Sequence, residues 1–327
     1  TTGPNFVFDL CVSTTSESER AELDLSGWTH FYTIGERVRA ETWRAFCAAF
    51  EPRGFKPVQF AASYGSTEAA VISRAINGRA IKFSRSALAA GSLVSDPEGT
   101  LELQSSGPPL PTSKAIVVDP DTREIQPAGR IGEIWCVVAC PGYWGLPEES
   151  KRLFGARTAA GEGPYFRTGD LGAMYEGELF VTGRLKFVII IRGNKHYAED
   201  IEATLESRLA WISTNSVIAF ADDIQSQGER FYLALAAPIE AAEIDAKGSE
   251  IRAILAKEHG IRVDEVLFVE PGKLPLTNLG KVARTTCREL FRAGQLALIG
   301  RYGASSALEQ ALVVAPFDEI MAALEIE

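Results

Sequence analysis

Four separated groups of residues carry side chains that suit ligand chemistry. They are Gly35-Glu36, the segment Tyr64 to Glu68, Asp170 with Arg184, and Lys281. A carboxylate accepts hydrogen bonds and a guanidinium donates them, so Asp170 and Arg184 are suited to holding one polar ligand from two sides. Taken alone, each group also has an ordinary structural explanation as a helix cap, a turn, core packing or a solvated charge. Their occurrence together in one chain favours a functional site.

Several common catalytic motifs are missing. Gly280-Lys281 is followed by Val282 and lacks the upstream spacing of a phosphate-binding loop, and no GxSxG or HExxH segment occurs. The three histidines, His30, His196 and His259, stand far apart in the sequence. These observations disfavour Ser/His/Asp hydrolysis and metal clusters of His and Cys.

Length and composition restrict the class of protein. A chain of 327 residues exceeds what one hydrophobic core usually supports, which predicts two domains. The formal net charge of −10 argues against sequence-independent binding to nucleic acid or to an anionic membrane surface. No apolar run approaches the roughly 18 residues that a membrane span requires.

The cysteines are odd in number, scattered, and without a CxxC pair, which predicts reduced thiols in a cytoplasmic protein. They are Cys11, Cys47, Cys136, Cys140 and Cys287. Cys136 and Cys140 lie in an apolar run, so we interpret them as structural residues rather than metal ligands. The chain begins Thr1-Thr2-Gly3-Pro4, with neither an initiator Met nor a signal peptide, and we interpret it as part of a longer polypeptide.

Hydrophobic periodicity predicts the elements that position the first two groups. Trp43, Phe46, Cys47 and Phe50 fall on one helical face, which predicts a helix from Ala40 to Phe50. A strand over 58–62 is predicted to run into a polar turn at 64–68, at the end of a sheet, where ligands commonly bind. Residues 70 to 110 are weakly patterned and are predicted to be an insertion with little regular structure. Further predicted elements are strands over 115–119 and 132–139 and a helix over 147–154.

The stretch from Tyr165 to Glu202 is predicted to join two domains. It contains a loop over 167–170, a glycine turn at Gly177, a second turn at Thr182-Gly183 and an apolar run over 187–191. Beyond it the pattern changes to a βαββαβα order, which is typical of a small α+β domain. The predicted strands are 187–192, 216–221, 231–237 and 266–269, and the predicted helices are 199–209, 249–258 and 285–293. Lys281 lies in the loop over 271–281.

Six segments, in this order, resemble the core motifs of the adenylate-forming enzymes, which include acyl-CoA synthetases, peptide-synthetase adenylation domains and luciferases. They are GERV (35–38), YGSTEA (64–69), GEIWCVVACPGYWGLPEES (132–150), YFRTGDLG (165–172), GRLKFVIIIRG (183–193) and PLTNLGKVAR (275–284). Within that superfamily the chain is most similar to the fatty acyl-AMP ligases, by its opening GPNFVFDLCV, by residues 70–110, and by PGYWGLPEESKRLFG and RGNKHYAEDIE.

The resemblance implies an α/β fold in two domains. Residues 1–183 would be the C-terminal part of the large AMP-binding (adenylation) domain, with mixed sheets and helices, and residues 184–327 the small α+β lid domain. In the family, a Gly/Ser/Thr-rich loop that cradles the ATP phosphates lies upstream. The sequence has no such loop, so the resemblance implies that an N-terminal half is missing.

The resemblance also implies roles for the first three groups. The backbone of Gly35 and Glu36 would line the adenine pocket, and Tyr64, beside Gly65, would stack on the purine. Thr67 would reach a phosphate oxygen. Glu68 would hold Mg²⁺, a hard cation that prefers carboxylate oxygen.

Asp170 matches the family's carboxylate that accepts hydrogen bonds from both ribose hydroxyls, and Arg184 would reach ribose or phosphate. Lys281 matches the lysine that enters with the small domain during adenylation and stabilises developing charge. Lys186 and Phe187 lie at the hinge. The chain departs from the family there, because Phe187 stands where an Asp or Glu is usual.

The implied reaction combines a fatty acid with ATP, assisted by Mg²⁺, to give an acyl-adenylate and pyrophosphate. The acyl group would then pass to the phosphopantetheine thiol of an acyl carrier protein or polyketide synthase. We expect the isolated chain to be inactive, because the phosphate loop and much of the acyl tunnel are missing. Two alternatives stay open: an acyl-CoA synthetase, and a non-catalytic interaction module derived from such an enzyme.

Overall fold

The structure is a computed structural model that describes residues 2–33, 35–76, 79–222, 230–277 and 280–303. The chain divides into two compact units, one ending at Val188 and the other beginning at Ile189. The boundary predicted from the sequence, between 183 and 184, lies a few residues earlier. Residues 304–327 of the predicted second domain are outside the described residues.

The first unit opens with four strands that form one sheet and with three helices between them. In chain order they are β1 (Thr2–Gly3), α1 (Asn5–Thr14), α2 (Glu17–Ala21), β2 (Phe31–Thr33), α3 (Ala40–Phe50), β3 (Phe60–Ser66) and β4 (Ala70–Ile76). The sheet has the order β1-β2-β3-β4, with β1 to β3 parallel and β4 antiparallel to β3.

An aromatic core fixes this sheet against its helices. The predicted helix from Ala40 to Phe50 is confirmed as α3, and Phe46 and Phe50 are buried. The ring of Phe8 in α1 lies 4.6 Å from that of Phe31 and 5.4 Å from that of Phe46, both in edge-to-face contacts. Such contacts add to the free energy gained by removing the rings from water.

The prediction of little regular structure between residues 70 and 110 was wrong. This segment contains β4, β5 (Ala80–Phe83), the short helix α4 (Arg85–Ala89) and β6 (Leu101–Gln104), with β5 and β6 paired antiparallel. Phe83 and Leu101 are fully buried. The strands are too short to show a clear period, and pairing with distant partners stabilises them instead.

The second sheet of this unit is an antiparallel meander. Its elements are β7 (Ile116–Val118), β8 (Gly132–Cys136), α5 (Pro147–Phe154), β9 (Phe166–Tyr175) and β10 (Glu178–Arg184). The sheet order is β10-β9-β8-β7. The predicted strand over 115–119, the helix over 147–154 and the turn at Gly177 are confirmed. The predicted strand over 132–139 corresponds to β8, which ends three residues earlier, at Cys136. Glu176 and Gly177 both have positive φ, as a tight hairpin turn requires.

The second unit contains every element predicted for it. Its elements are β11 (Val188–Ile191), β12 (Asn194–Tyr197), α6 (Ala198–Arg208), β13 (Val217–Asp222), β14 (Arg230–Ala236), α7 (Ile244–His259), β15 (Glu265–Val269), α8 (Arg284–Arg292) and β16 (Leu298–Tyr302). Strands β12 and β16 were not predicted, since both are short and carry no clear alternation. Strand β11 begins at the last residue of the first unit.

A mixed sheet of order β13-β14-β15-β16 forms the centre of the second unit. Strands β14 and β15 are parallel, and the outer pairs are antiparallel. Phe220, Tyr232 and Leu267 on one face pack against Cys287 and Phe291 of α8. Across the described parts of both units, no helix combines the length and apolarity needed to cross a membrane.

Candidate functional site

Asp170 lies within strand β9, so the prediction of a loop over 167–170 was wrong. Glu133 pairs with Leu171 and Trp135 with Arg167 in the β8–β9 ladder, so Thr168, Gly169 and Asp170 bulge opposite Ile134. Gly169 has a φ of 71°, a conformation that glycine adopts at low cost. The polar composition of the segment indicated a loop, whereas the sheet accommodates the same residues as a bulge.

Glu133, which was not among the predicted site residues, holds this bulge. Its carboxylate accepts hydrogen bonds from Trp135 Nε1 at 2.9 Å, Arg167 Nε at 2.9 Å and the Gly169 backbone N–H at 3.1 Å. Its residue is only 2% exposed. In the sequence, Glu133 is a lone carboxylate in an otherwise apolar strand. Because a buried charge must have partners, this pattern could have identified Glu133 as a functional residue.

Asp170 contacts two other predicted site residues. Tyr64 Oη donates to Asp170 Oδ2 at 2.9 Å, and Arg184 Nε donates to Asp170 Oδ1 at 2.6 Å. Asp170 is buried, whereas the Arg184 side chain is 48% exposed. The structure therefore brings together one residue from each of β3, β9 and β10 around a single carboxylate.

Register between β9 and β10 explains the pairing of Asp170 with Arg184. The two residues are direct cross-strand partners, and the register shifts between Val181 and Gly183. The predicted second turn at Thr182-Gly183 was therefore wrong, because this Gly-containing segment is a bulge inside β10. The bulge moves Arg184 into register with Asp170.

Tyr64 acts as a neutral hydrogen-bond donor in this group. Burial raises the pKa of the Tyr64 phenol well above its ordinary value, and the nearby Asp170 charge raises it further. The ring also packs beside the buried side chains of Ile72 and Ile134. A phenol held by packing and by Asp170 keeps one ring orientation.

The segment Tyr64 to Glu68 was predicted to be a turn, and this was wrong in part. Tyr64, Gly65 and Ser66 continue β3, and the chain reverses between Ser66 and Ala70, which are paired. A Cβ added to Gly65 would lie 1.7 Å from the Ala70 carbonyl oxygen. Gly65 is therefore required by the close approach of two strands.

The tip of this hairpin presents Thr67 and Glu68. Thr67 is exposed, and Glu68 Oε1 accepts a hydrogen bond from Tyr143 Oη at 2.6 Å. Burial raises the pKa of Glu68, but hydrogen bonds from Tyr143, Ser66 and the backbone and the charge of Arg184 outweigh it and lower the pKa overall. Glu68 is thus ionised at neutral pH, as a cation ligand must be.

Gly35 and Glu36 lie in the connection between β2 and α3. Glu36 Oε1 accepts from the Asn5 backbone N–H at 2.5 Å, and Asn5 Nδ2 donates to the Arg37 carbonyl at 2.8 Å. Gly35 has a φ of 87°. The Glu36 side chain therefore caps the start of α1. This leaves only the backbone of Gly35 and Glu36 for the predicted contact with adenine. The preceding Ile34 lies outside the described residues.

Lys281 belongs to the second unit and Lys186 and Phe187 to the end of the first. Lys186 Nζ lies 4.9 Å from the centre of the Phe187 ring, in a single 3-10 turn. Lys281 is half-buried, and its backbone N–H donates to Thr277 Oγ1 at 3.2 Å. Asn278 and Leu279 of the predicted loop are outside the described residues.

Replacing Glu133 with glutamine is expected to lower the free energy of unfolding by about 3 kcal/mol, because it leaves the partly buried Arg167 guanidinium without its charged partner. Urea unfolding of the two forms measures the change. The matched control is Glu149→Gln, which breaks an exposed ion pair with Arg152 and should cost less than about 1 kcal/mol. Equal losses in the two variants would contradict the role given to Glu133.

Gly65→Ala is expected to lower the free energy of unfolding by about 3 kcal/mol or more, because the strands at the hairpin tip must separate to admit a methyl group. Gly27→Ala is the control, since a Cβ there meets no atom within 4 Å. Thermal unfolding of both variants checks the difference. A Gly65→Ala protein as stable as Gly27→Ala would show that the close approach to Ala70 is not required.

Two family models match the chain. Residues 1–144 match the AMP-binding enzyme family, and residues 187–301 match the AMP domain of the Disco-interacting protein 2-like family. Together the two matches indicate similarity to AMP-binding proteins over most of the chain.

Several relatives that match most of the chain carry names of fatty-acid ligases. Medium-chain-fatty-acid–[acyl-carrier-protein] ligase JamA of Moorena producens is 37% identical over an alignment of 314 residues, and the match covers 90% of this chain and 52% of that protein. Long-chain-fatty-acid–AMP ligase FadD26 of Mycobacterium tuberculosis is 36% identical, covering 89% of this chain and 52% of that protein. The chain thus spans about half the length of the curated relatives it matches.

Solved structures agree with this fold. A structure from a study of fatty acyl-adenylate ligases of E. coli and L. pneumophila has a TM-score of 0.77 at 26% identity, over 89% of this chain and 52% of its own. A fatty acyl-adenylate ligase of L. pneumophila in complex with acyl adenylate and pyrophosphate has a TM-score of 0.56 at 29% identity, over 92% of this chain and 54% of its own.

Proposed function

We propose that this chain is part of a ligase that activates a fatty acid with ATP as an acyl-adenylate. The ligase then transfers the acyl group to the phosphopantetheine thiol of an acyl carrier protein or polyketide synthase. The observation that carries the proposal is the convergence of Tyr64 and Arg184 on the Asp170 carboxylate.

A ribose diol fits this group of residues. An ionised carboxylate is an acceptor-only group with several lone-pair positions, so Asp170 can accept from both hydroxyls of a diol while keeping a protein donor. The Tyr64 phenol bonded to Asp170 places its ring beside that position, where an aromatic face suits a purine. Arg184 is about half exposed and reaches a ribose or phosphate oxygen.

A magnesium ion fits the hairpin tip that carries Glu68. Among the described residues no group of three or more His, Cys, Asp and Glu side chains could enclose a metal. Magnesium bound to nucleotides needs only one or two carboxylates, since phosphates and water supply the other ligands. Glu68 would hold the ion, which would neutralise charge on the phosphates, and the exposed Thr67 lies next to it.

In this proposal the second unit is the lid domain and supplies Lys281. An ammonium at the α-phosphate stabilises the charge that develops as the fatty carboxylate attacks and pyrophosphate leaves. Lys186 and Phe187 would form the hinge, where a ring and an ammonium stand in contact in place of an acidic hinge residue.

The share of the relatives that the chain covers supports the proposal that a preceding segment, with the phosphate-binding loop, completes the ligase. The free thiol form of all five cysteines accords with the cytosol, where such carriers act. We therefore expect activity from the longer polypeptide and not from residues 1–327 alone.

The test incubates the full-length protein and residues 1–327 separately with laurate, ATP and Mg²⁺, and detects lauroyl-AMP and pyrophosphate. We expect product from the full-length protein only. Adding coenzyme A and a carrier protein separates the alternatives: lauroyl-CoA as main product would identify an acyl-CoA synthetase. The absence of any adenylate would favour an interaction module and contradict the proposal.

A further inference from the structure

Backbone hydrogen bonds join the described residues on the two sides of the loop that carries Lys281. The Thr277 N–H donates to the Lys281 carbonyl at 2.7 Å, the Ala283 N–H donates to the Pro275 carbonyl at 2.9 Å, and Leu276 pairs with Val282. These contacts join the two sides of the loop into a short antiparallel ladder. The position of Lys281 therefore depends on what holds the base of the ladder.

Arg284 follows the ladder directly as the first residue of α8, and it is held by Glu202 of α6. Arg284 Nε donates to Glu202 Oε1 at 2.8 Å, and Arg284 Nη2 contacts Glu202 Oε2. Arg284 Nη1 also lies 3.3 Å from Glu199 Oε1. A guanidinium bound through two nitrogens to one carboxylate is fixed in direction as well as in position.

Glu202 is itself fixed from a third side. Its Oε1 accepts the Ala219 backbone N–H of β13 at 2.9 Å, and the residue is only 5% exposed. One carboxylate thus joins α6, the central sheet and the start of α8. Burial raises the pKa of Glu202 to about 7 although the charge of Arg284 opposes this shift, so removal of Arg284 would favour protonation of the carboxylate.

We infer that Glu202 and Arg284 are positioning residues for Lys281: their buried ion pair fixes the base of the Lys281 loop so that the ammonium enters the adenylation site in one orientation. This inference rests on the proposed function. It concerns only the step in which Lys281 acts, so acyl transfer from a preformed adenylate should not depend on the pair.

The chain provides a matched control pair in Asp222 and Arg292. Arg292 Nε and Nη2 donate to the two oxygens of Asp222 at 2.7 and 2.9 Å, and the Asp222 carboxylate is fully buried. This pair ties the far end of the same helix, α8, to the same sheet. It has the same chemistry as the Glu202–Arg284 pair but does not adjoin the Lys281 loop.

The experiment compares Glu202→Gln and Asp222→Asn in the full-length protein. Two rates are measured for each: pyrophosphate release from laurate and ATP, and transfer of lauroyl from added lauroyl-AMP to a thiol acceptor. We expect Glu202→Gln to lower the first rate about tenfold or more and to leave the second within about twofold. Asp222→Asn should change both rates by the same factor.

A double variant separates loss of the ion pair from loss of folding. Glu202→Met with Arg284→Met replaces the buried pair with apolar side chains of similar size, a change that is often neutral for stability. It should lower adenylate formation as Glu202→Gln does. The inference is wrong if the Glu202 variants fold but keep the wild-type ratio of adenylate formation to acyl transfer. It is also wrong if that ratio falls equally in Asp222→Asn.

Amide hydrogen exchange provides a readout that does not depend on activity. The N–H groups of Thr277 and Lys281 should exchange faster in Glu202→Gln than in Asp222→Asn, because only the first variant releases the base of the ladder. Unchanged exchange at both amides would overturn the inference. Failure of the wild-type protein to form lauroyl-AMP would instead overturn the proposed function, and the exchange result would still decide whether the pair fixes the loop.

Discussion

Lys281→Ala in the full-length protein is expected to reduce acyl-adenylate formation about 100- to 1000-fold. Removing a preorganised group that stabilises the charge of the transition state usually lowers the rate by about this factor. Binding of ATP should change little, because the proposed ribose and purine contacts come from Asp170 and Tyr64. Pyrophosphate release under saturating laurate and ATP measures the rate, and calorimetry measures the affinity for ATP.

The control for this variant is Lys273→Ala, which removes an exposed lysine from the same loop. It should retain nearly full activity, so that a general effect of charge on the loop is separated from the role of Lys281. Transfer from added lauroyl-AMP to a thiol should survive in Lys281→Ala. An active Lys281→Ala enzyme would refute the assigned catalytic role.

Asp170→Asn is expected to lower kcat/KM for ATP about 100-fold, mainly through a higher KM. The substitution keeps the shape of the side chain but replaces one acceptor oxygen with a donor, which faces either Arg184 or Tyr64. Hydrogen bonds to charged groups contribute about 1.5–3 kcal/mol each, so the loss of one or two of them gives this range. Initial rates over a series of ATP concentrations measure it.

A matched control is Asp121→Asn, an exposed aspartate in the turn that follows β7. Its kinetics should equal those of the unaltered protein. A 2′-deoxy-ATP substrate adds a second check, since Asp170→Asn should discriminate less between ATP and 2′-deoxy-ATP than the unaltered protein does. If Asp170→Asn keeps the full preference for ATP, the carboxylate does not bind the ribose.

Local sequence patterns predicted the longer elements of the fold. The helical face of Trp43, Phe46 and Phe50 gave α3 correctly, because a period of 3.6 residues is set by the side chains of the helix itself. The same holds for the alternation of elements in the second unit. The segment from 70 to 110 was predicted wrongly. Strands β5 and β6 are stabilised by pairing with each other, and neither strand shows a clear hydrophobic period of its own.

The site shows the same division. Residue types and their order were sufficient to select Tyr64, Glu68, Asp170, Arg184 and Lys281 as candidates, since the chemistry of an acceptor, a donor or an ammonium belongs to the side chain itself. The partners of these residues were not predictable from types and order. Neither Glu133 behind the Asp170 bulge nor Glu202 at the base of the Lys281 loop was among the predicted site residues.

The sequence by itself determined which side chains are candidates for ligand chemistry, the division into two parts, and the family that the chain resembles. Only the tertiary structure decided that 167–170 and 182–183 are bulges within strands and that Asp170 receives both Tyr64 and Arg184. The physical reason is that strand register and the pairing of buried charges are set by residues far apart in the chain. A local pattern carries no information about those partners.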